Sequence, residues 1–298
     1  MKIMYNNCIL CPRECGVDRT KSKGYCKTTD KLLVTRAAIH MWEEPCISGD
    51  NGSGTVFFGG CNMGCIFCQN AEIRDGKVGK EINAERLSEI FFELKQKGAN
   101  NINLVTPTHF VPHIVRALDI ARKKGLDLPI VYNTSGYEKV ETLKLLEGYV
   151  DIYLPDFKYY SSETASKYSN APNYREYAKG AIAEMFRQVG KPQFFKNGIM
   201  KKGVIVRHLL LPHHLEESKE IVKYLYNTYK DDIFISLMNQ YTPMPQVKNH
   251  KVLKERVSEE DYNNLINYAV DIGVENGFIQ EGGTAEESFI PSFDNTGV

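Results

Sequence analysis

Residues 59–70 read GGCNMGCIFCQN, and three cysteines, Cys61, Cys65 and Cys68, crowd one glycine-rich loop with no fourth behind them. Three thiolates on one tight loop can hold three corners of a cubane iron–sulfur cluster, whose full ligation takes four cysteines. A missing fourth leaves one iron open, and an open position separates a reactive metal site from a structural one. Gly59, Gly60 and Gly64 let the backbone wrap closely and leave room for a ligand beside that iron. A second group, CILCPRECGVDRTKSKGYC, spaces Cys8, Cys11, Cys15 and Cys26 as C-x2-C-x3-C-x10-C. Four such thiolates can close tetrahedrally on zinc or cap a further, fully ligated iron–sulfur cluster; the short knuckle and full closure lean towards zinc. Either centre would staple a segment too small to hold itself together by core burial. Cys46 stands alone and reads as a small buried hydrophobe.

The compartment matters to that reading. No apolar run approaches the roughly 18 residues of a membrane span, and the start, MKIMYNNCIL, lacks the long apolar core of a secretory signal. Lysine plus arginine equals aspartate plus glutamate at 37 each, so charge makes no case for nucleic acid or an anionic membrane as partner. These features predict a soluble, cytoplasmic protein, and in a reducing cytosol clustered cysteines are metal ligands or catalytic thiols rather than disulfides.

The elements that must position the thiols follow a regular alternation. The chain has 298 residues, 42% hydrophobic, enough for one sizeable core. From residue 54 onward, short apolar runs alternate with segments of helical period. TVFF (55–58), INLVT (102–106), PIVYN (129–133), VDIYL (150–154), VIVRHLLL (204–211) and IFISLM (233–238) read as strands. Between them, helices are expected after residue 84 up to Gly98, from Pro112 to Gly125, over 138–147, within 163–189 and over 214–229. A last helix opens with a capping box at Ser258 to Asp261 and runs to Gly273, before a short strand at 277–280. Six βα units without hairpin signals require a parallel sheet with helices outside it. The fold class is therefore α/β, an incomplete (β/α)6-type TIM barrel, with a doubly wound open sheet as the competing topology. Residues 1–53 fall outside the alternation and read as a small cysteine-rich, metal-binding appendage, with a strand at 31–40; residues 54–298 form the barrel.

Unusual polar residues collect just past the strand ends: the cysteine loop, TPTH (106–109), NTSG (133–136), PDFK (155–158), RH (207–208) and NQYTP (239–243). In parallel α/β folds ligands bind at that end of the sheet. His109, His113, His213 and His214 are read as caps or surface groups rather than a further metal site. Trp42, in WEEPC, could line a substrate mouth or pack the appendage on the barrel, and Tyr174 and Tyr177 repeat at the spacing of a plain helix face.

C-x3-C-x2-C with an aromatic, Phe67, before the last cysteine resembles the signature of the radical S-adenosylmethionine (SAM) superfamily. The resemblance implies a [4Fe–4S] cluster whose free iron is chelated by the methionine part of SAM. It also implies reductive cleavage of SAM to a 5′-deoxyadenosyl radical that abstracts a substrate hydrogen. TPTHF sits where the superfamily has a backbone contact to the SAM amino group, which implicates Thr106 and Thr108 although the motif itself departs from the usual one. NTSGY resembles the turn that reaches the ribose in glycyl-radical activating enzymes, which implicates Asn133 and Ser135. LPDFKY and VRHLLLP resemble two further strand ends of those enzymes and place Asp156, Lys158, Arg207 and His208 near SAM or substrate. Overall the chain is similar to relatives of pyruvate formate-lyase activating enzyme that carry an N-terminal cysteine motif.

The expected function is a radical SAM oxidoreductase, fed electrons by a flavodoxin- or ferredoxin-type donor, acting as a glycyl-radical-enzyme activase. Radical modification or epimerisation of a small molecule, peptide or protein is the alternative. A non-enzymatic iron–sulfur electron carrier is the reading from another class, and the absent fourth cysteine speaks against it.

Overall fold

The computed structural model describes residues 2–280 and 291–298. Ten strands among the described residues form one sheet: β1 (Leu32–His40), β2 (Ser53–Phe58), β3 (Lys80–Ile82), β4 (Ile102–Val105), β5 (Ile130–Thr134), β6 (Ile152–Pro155), β7 (Gln193–Phe194), β8 (Met200–Leu209), β9 (Phe234–Met238) and β10 (Gly277–Ile279). The order is β10-β9-β8-β6-β5-β4-β2-β1-β3, with β7 paired beside β8. All pairings from β2 through β10 along this path are parallel. The two ends of the order do not meet, so the sheet curls as an open fraction of a barrel, as the alternation predicts.

Local chemistry sets the helices. Asn83 accepts the Arg86 N–H at 2.8 Å to start the helix Ala84–Gln96, which buries Leu87, Ile90, Phe91 and Leu94. Pro112 occupies the first turn of Val111–Lys123, which packs beside it. Ser258 accepts the Asp261 N–H at 3.0 Å and opens Glu259–Asp271. The stretch 163–189 is two helices, Ser162–Ser169 and Tyr174–Val189, because Asn170 takes a left-handed conformation (φ 49°) and Pro172 follows it. The helix expected over 138–147 is short, Val140–Leu143, and tightens into a 3₁₀ turn at Lys144–Leu146.

Antiparallel pairs also appear where hairpin signals were absent. β1 runs antiparallel to β2, β3 to β1, and β7 to β8. β3 and β7 hold three and two residues, too few to show a period. Residues 32–40 are thus hydrogen-bonded into the same sheet as the barrel strands, and Thr296 and Asn295 extend the pairing along β1.

Strand alternation divides the apolar residues into two layers. Ile130, Tyr132, Tyr153, Val204 and Val206 join the large core under the helices. Their neighbours Val131, Ile152, Leu154 and Ile205 point the other way, into the lumen, where they pack with Cys46 and Ile47. The segment after β1, including the short helix Pro45–Ser48, therefore crosses the open barrel as an interior plug. Cys46 is the buried small residue its isolation predicts.

Candidate functional site

The cysteine loop leaves β2 through two left-handed glycines, Gly60 (φ 83°) and Gly64 (φ 73°). Gly60 donates to Ile73 O at 2.6 Å, Arg74 reaches Cys65 O at 2.6 Å, and Ile66 donates to Tyr168 O at 2.9 Å. Phe67 meets Tyr168 and Tyr241 edge-on. Cys65 Sγ accepts the Ser169 hydroxyl at 3.0 Å, and the Tyr159 hydroxyl lies 3.9 Å away. Burial pushes the Cys61 thiol up and the Cys68 thiol to about 12, with the neighbouring Cys65 adding to both. Bare, these thiols would stay protonated at neutral pH; a bound cation deprotonates a coordinating thiol outright. The donor set is thus suited to a thiophilic metal cluster.

Above the plug the lumen opens as a cavity of about 580 Å³. Cys61, Cys65, Phe67 and Cys68 line it together with Thr106, Asn133, Ser135, Asp156, Lys158 and Arg207. These ten come from five successive strand ends, as the polar strand termini predict. Arg207 anchors the floor: Nε donates to Asp156 Oδ1 at 3.0 Å, one terminal nitrogen to Asn133 Oδ1 at 2.7 Å, and the other to Glu43 Oε2 at 3.3 Å. Lys158 Nζ lies 2.5 Å from the other Asp156 oxygen. Burial works to raise the Asp156 carboxyl, but Lys158 and Arg207 outweigh it and hold it below the ordinary carboxylate range. Burial likewise opposes the Lys158 charge, and Asp156 restores it above the usual value.

Two expected contacts lie elsewhere. Thr108 is absent from the cavity lining; its buried hydroxyl donates to Glu138 Oε1 at 2.5 Å. His208 points away from Arg207 under the helices, between Phe157 O (2.7 Å) and Ser218 Oγ (2.8 Å), and burial lowers its imidazole to about 4. Thr106 does face the cavity, and a φ of 58° is an outlier for a β-branched residue. Ser135 lines the cavity, and its Oγ is buried without a hydrogen-bond partner.

Two participants escaped sequence reasoning. Glu43 accepts from Asn103 (3.0 Å), Asn133 (3.2 Å) and Arg207, so the plug completes the floor; its signal was the acidic pair in WEEPC. The Tyr174 hydroxyl lies 2.8 and 2.9 Å from the carbonyls of Ser135 and Asp156 and accepts the Lys158 N–H at 2.9 Å. Helical spacing accounts for its burial, and the hydroxyl further ties two cavity-lining turns together. Trp42 stands at the cavity mouth, 68% exposed. The histidines are engaged locally: His109 on Gly59 O, His113 on Asp30 O, His213 with Glu255, His214 with Tyr168 and Glu217.

At the N-terminus Cys15 and Cys26 flank Gly24, each sulfur 3.5 Å from the position a Cβ there would take, and Cys8 lies 3.9 Å from Arg19, itself bonded to Thr28 beside Cys26. Cys11 is buried in the same region, and burial pushes its thiol to about 12. Among the described residues no three His, Cys, Asp or Glu groups converge closely enough to hold a single metal ion, at either cysteine group. Ligands of a cubane sit on separate irons, farther apart than ligands sharing one ion.

The sequence profile of the radical SAM superfamily matches residues 55–225, more than half of the chain. The chain belongs to that superfamily. Membership implies a [4Fe–4S] cluster and SAM as cofactors, and the thiol loop and the polar cavity fit them. An uncharacterized protein of Methanocaldococcus jannaschii, MJ0674, is 29% identical over 279 residues, covering 90% of this chain and 75% of its own. Among solved structures, Streptococcus suis SuiB bound to its precursor peptide SuiA superposes with a TM-score of 0.50 at 15% identity, over 75% of this chain and 47% of SuiB. HydG, a maturase of the [FeFe]-hydrogenase, superposes with a TM-score of 0.53 at 16% identity, over 77% of this chain and 52% of its own. The chain thus spans about half the length of these two radical SAM proteins and shares their fold. No helix of the described residues is long and apolar enough to cross a membrane.

Proposed function

We propose that the protein is a radical SAM enzyme that takes a hydrogen atom from a polypeptide segment entering the lumen, with activation of a glycyl-radical enzyme as the leading case. The single observation that carries this reading is the convergence of three cluster-suited thiols and the Asn133–Asp156–Arg207 floor on one open cavity. When bound, the cluster and SAM supply one-electron cleavage of SAM and an oxidant strong enough to abstract an unactivated hydrogen. Cys61, Cys65 and Cys68 would hold the cluster. Thr106, Asn133, Ser135, Asp156, Lys158 and Arg207 would hold SAM, the Ser135 side chain turning its unpaired hydroxyl towards the ligand. Phe67, packed between Tyr168 and Tyr241, fixes the loop beside them.

A polypeptide substrate is favoured by the unclosed sheet and by the exposed Met41–Trp42 lip at the mouth. SuiB, of the same fold, binds a precursor peptide. The same proposal includes a metal centre on Cys8, Cys11, Cys15 and Cys26 in an N-terminal appendage, and a reducing, cytoplasmic setting with a flavodoxin- or ferredoxin-type donor.

The test is anaerobic. Protein reconstituted with iron and sulfide, given SAM and dithionite, is expected to form 5′-deoxyadenosine, and Cys65→Ala is expected to form none. Glycine-containing peptides should raise the yield or acquire a radical detectable by electron paramagnetic resonance (EPR). An intact, reducible cluster that yields no 5′-deoxyadenosine overturns the enzymatic reading in favour of an electron carrier.

A further inference from the structure

The four N-terminal cysteines are tied to the catalytic loop by two short links. Arg13, inside the knuckle CPREC, reaches 50 residues along the chain: Nε donates to Asn62 O at 2.8 Å and one terminal nitrogen to Met63 O at 2.8 Å. The guanidinium also donates to Ser169 O at 2.8 Å and to Asn170 O, and lies 4.0 Å above the Tyr25 ring. Asn62 and Met63 are the residues between Cys61 and Gly64, so Arg13 grips the backbone that spaces the first two thiols of the triad. The second link is Cys26 itself, whose carbonyl accepts the Cys61 N–H at 3.2 Å. Gly60 makes this approach possible: a Cβ there would collide with the Cys26 carbonyl and with Thr28.

Behind these links lies Arg19, fully buried, with hydrogen bonds to His109 O (2.8 Å), Thr28 Oγ1 (2.9 Å) and Thr29 O (2.6 Å). Among the described residues no carboxylate pairs with it, and its Nε has no partner. A buried guanidinium without an anion is strongly unfavourable. The acidic groups against it are the thiols of Cys8 and Cys26 together with Tyr5, whose ring it overlies at 4.7 Å. Four thiolates around a cubane would retain net negative charge, which Arg19 would offset. The buried cation is an observation in favour of a metal centre that cysteine spacing alone does not contain.

We infer that the N-terminal unit is a metal-dependent clamp on the catalytic loop, in which a centre on Cys8, Cys11, Cys15 and Cys26 locks residues 8–28 so that Arg13 and the Cys26 carbonyl hold Gly60–Met63 in the ligand-presenting conformation. This rests on the proposed metal at those four cysteines. Arg13 is a positioning residue, since its guanidinium bonds the backbone of the loop. The chemical class of the ligand is an iron–sulfur cluster, whose separate irons suit thiols too far apart to share one ion.

The experiment uses the anaerobically prepared full chain and three variants, Cys15→Ala, Arg13→Gln and Arg13→Lys. Elemental analysis counts zinc, iron and sulfide; hydrogen exchange follows the amides of residues 60–66, with the helix Ala84–Gln96 as an internal fold control. Wild type is expected to carry iron and sulfide beyond one cubane. Cys15→Ala should lose that excess, exchange the loop roughly tenfold faster, equivalent to about 1.4 kcal/mol, and hold less catalytic iron. Arg13→Gln should keep the excess metal yet show the same loop acceleration and an altered EPR signal of the reduced cluster, partly restored in Arg13→Lys. Loss of the excess iron in Cys15→Ala with loop exchange unchanged overturns the clamp while leaving the metal site standing. Wild type without metal beyond the catalytic cubane overturns the metal site, and the clamp with it.

Discussion

At the scale of single residues, the thiol loop receives a hydrogen bond from a neighbour outside the cysteine motif. Ser169 ends the helix Ser162–Ser169, and its hydroxyl donates to Cys65 Sγ at 3.0 Å while exchanging a 2.7 Å bond with Tyr159. A hydrogen bond to a ligating sulfur favours the more negative, reduced cluster, so it raises the reduction potential. Ser169→Ala should therefore shift the potential downwards, read by redox titration of the EPR signal, with iron content unchanged. An unchanged or higher potential would remove Ser169 from any tuning role. Thr106 carries the other residue-scale feature. Its backbone sits at φ 58° while its N–H donates to Asn133 O at 2.9 Å, so a β-branched residue holds a left-handed turn at the cavity wall. Thr106→Gly relieves that conformation and should raise the unfolding midpoint while weakening SAM binding, measured by equilibrium dialysis. A lower midpoint would show that the side chain contributes more than the strain costs.

At the scale of elements, the lumen plug matters most and was the least readable. Ile47 is fully buried against Val131, Ile152, Leu154 and Ile205, and the same segment delivers Glu43 to Arg207. Ile47→Ala should cost about 2–5 kcal/mol in urea unfolding, and Ile47→Val about 1 kcal/mol. A loss below that range would mean that the plug packs loosely. The barrel strands were legible because each is a short apolar run set off from the helical segments, as β4 and β5 are by the helix stops Gly98 and Gly125 before them. MWEEPCIS has no period of either kind, and its partners lie far away in sequence: Glu43 meets Asn103 across 60 residues and Arg207 across 164. Local pattern contains no trace of such pairings. The misplaced Thr108 and His208 have a related cause. Each neighbours a cavity-facing residue, Thr106 or Arg207, and strand alternation turns His208 to the opposite face of its neighbour. A motif names the strand end; only the register says which side chain looks in.

At the scale of the whole molecule, the boundary between the helix layer and the lumen contains a buried acid that makes global stability depend on pH. Glu138 is fully buried, and Oε1 accepts from Thr108 (2.5 Å) and Thr134, while Oε2 has no partner. Burial raises its carboxyl to about 7, against the lowering influence of the two threonines and Tyr132. The fold thus holds a proton that the unfolded chain releases near its ordinary value of 4.5. This stabilising contribution is complete below the unfolded value and disappears as pH rises through about 7, because ionisation then strands a charge in the interior. Glu138→Gln keeps the acceptor for both threonines and stays neutral throughout. Relative to wild type, the variant should gain nothing extra near pH 4.5 and roughly 3 kcal/mol by pH 8.5, compared by anaerobic urea unfolding at each pH. The gain should grow mostly between those two values and level off above about pH 8. A difference between the two proteins that stays flat across this range would show that Glu138 is already ionised in the fold, and the uncompensated Oε2 would then need a cation or water as its partner.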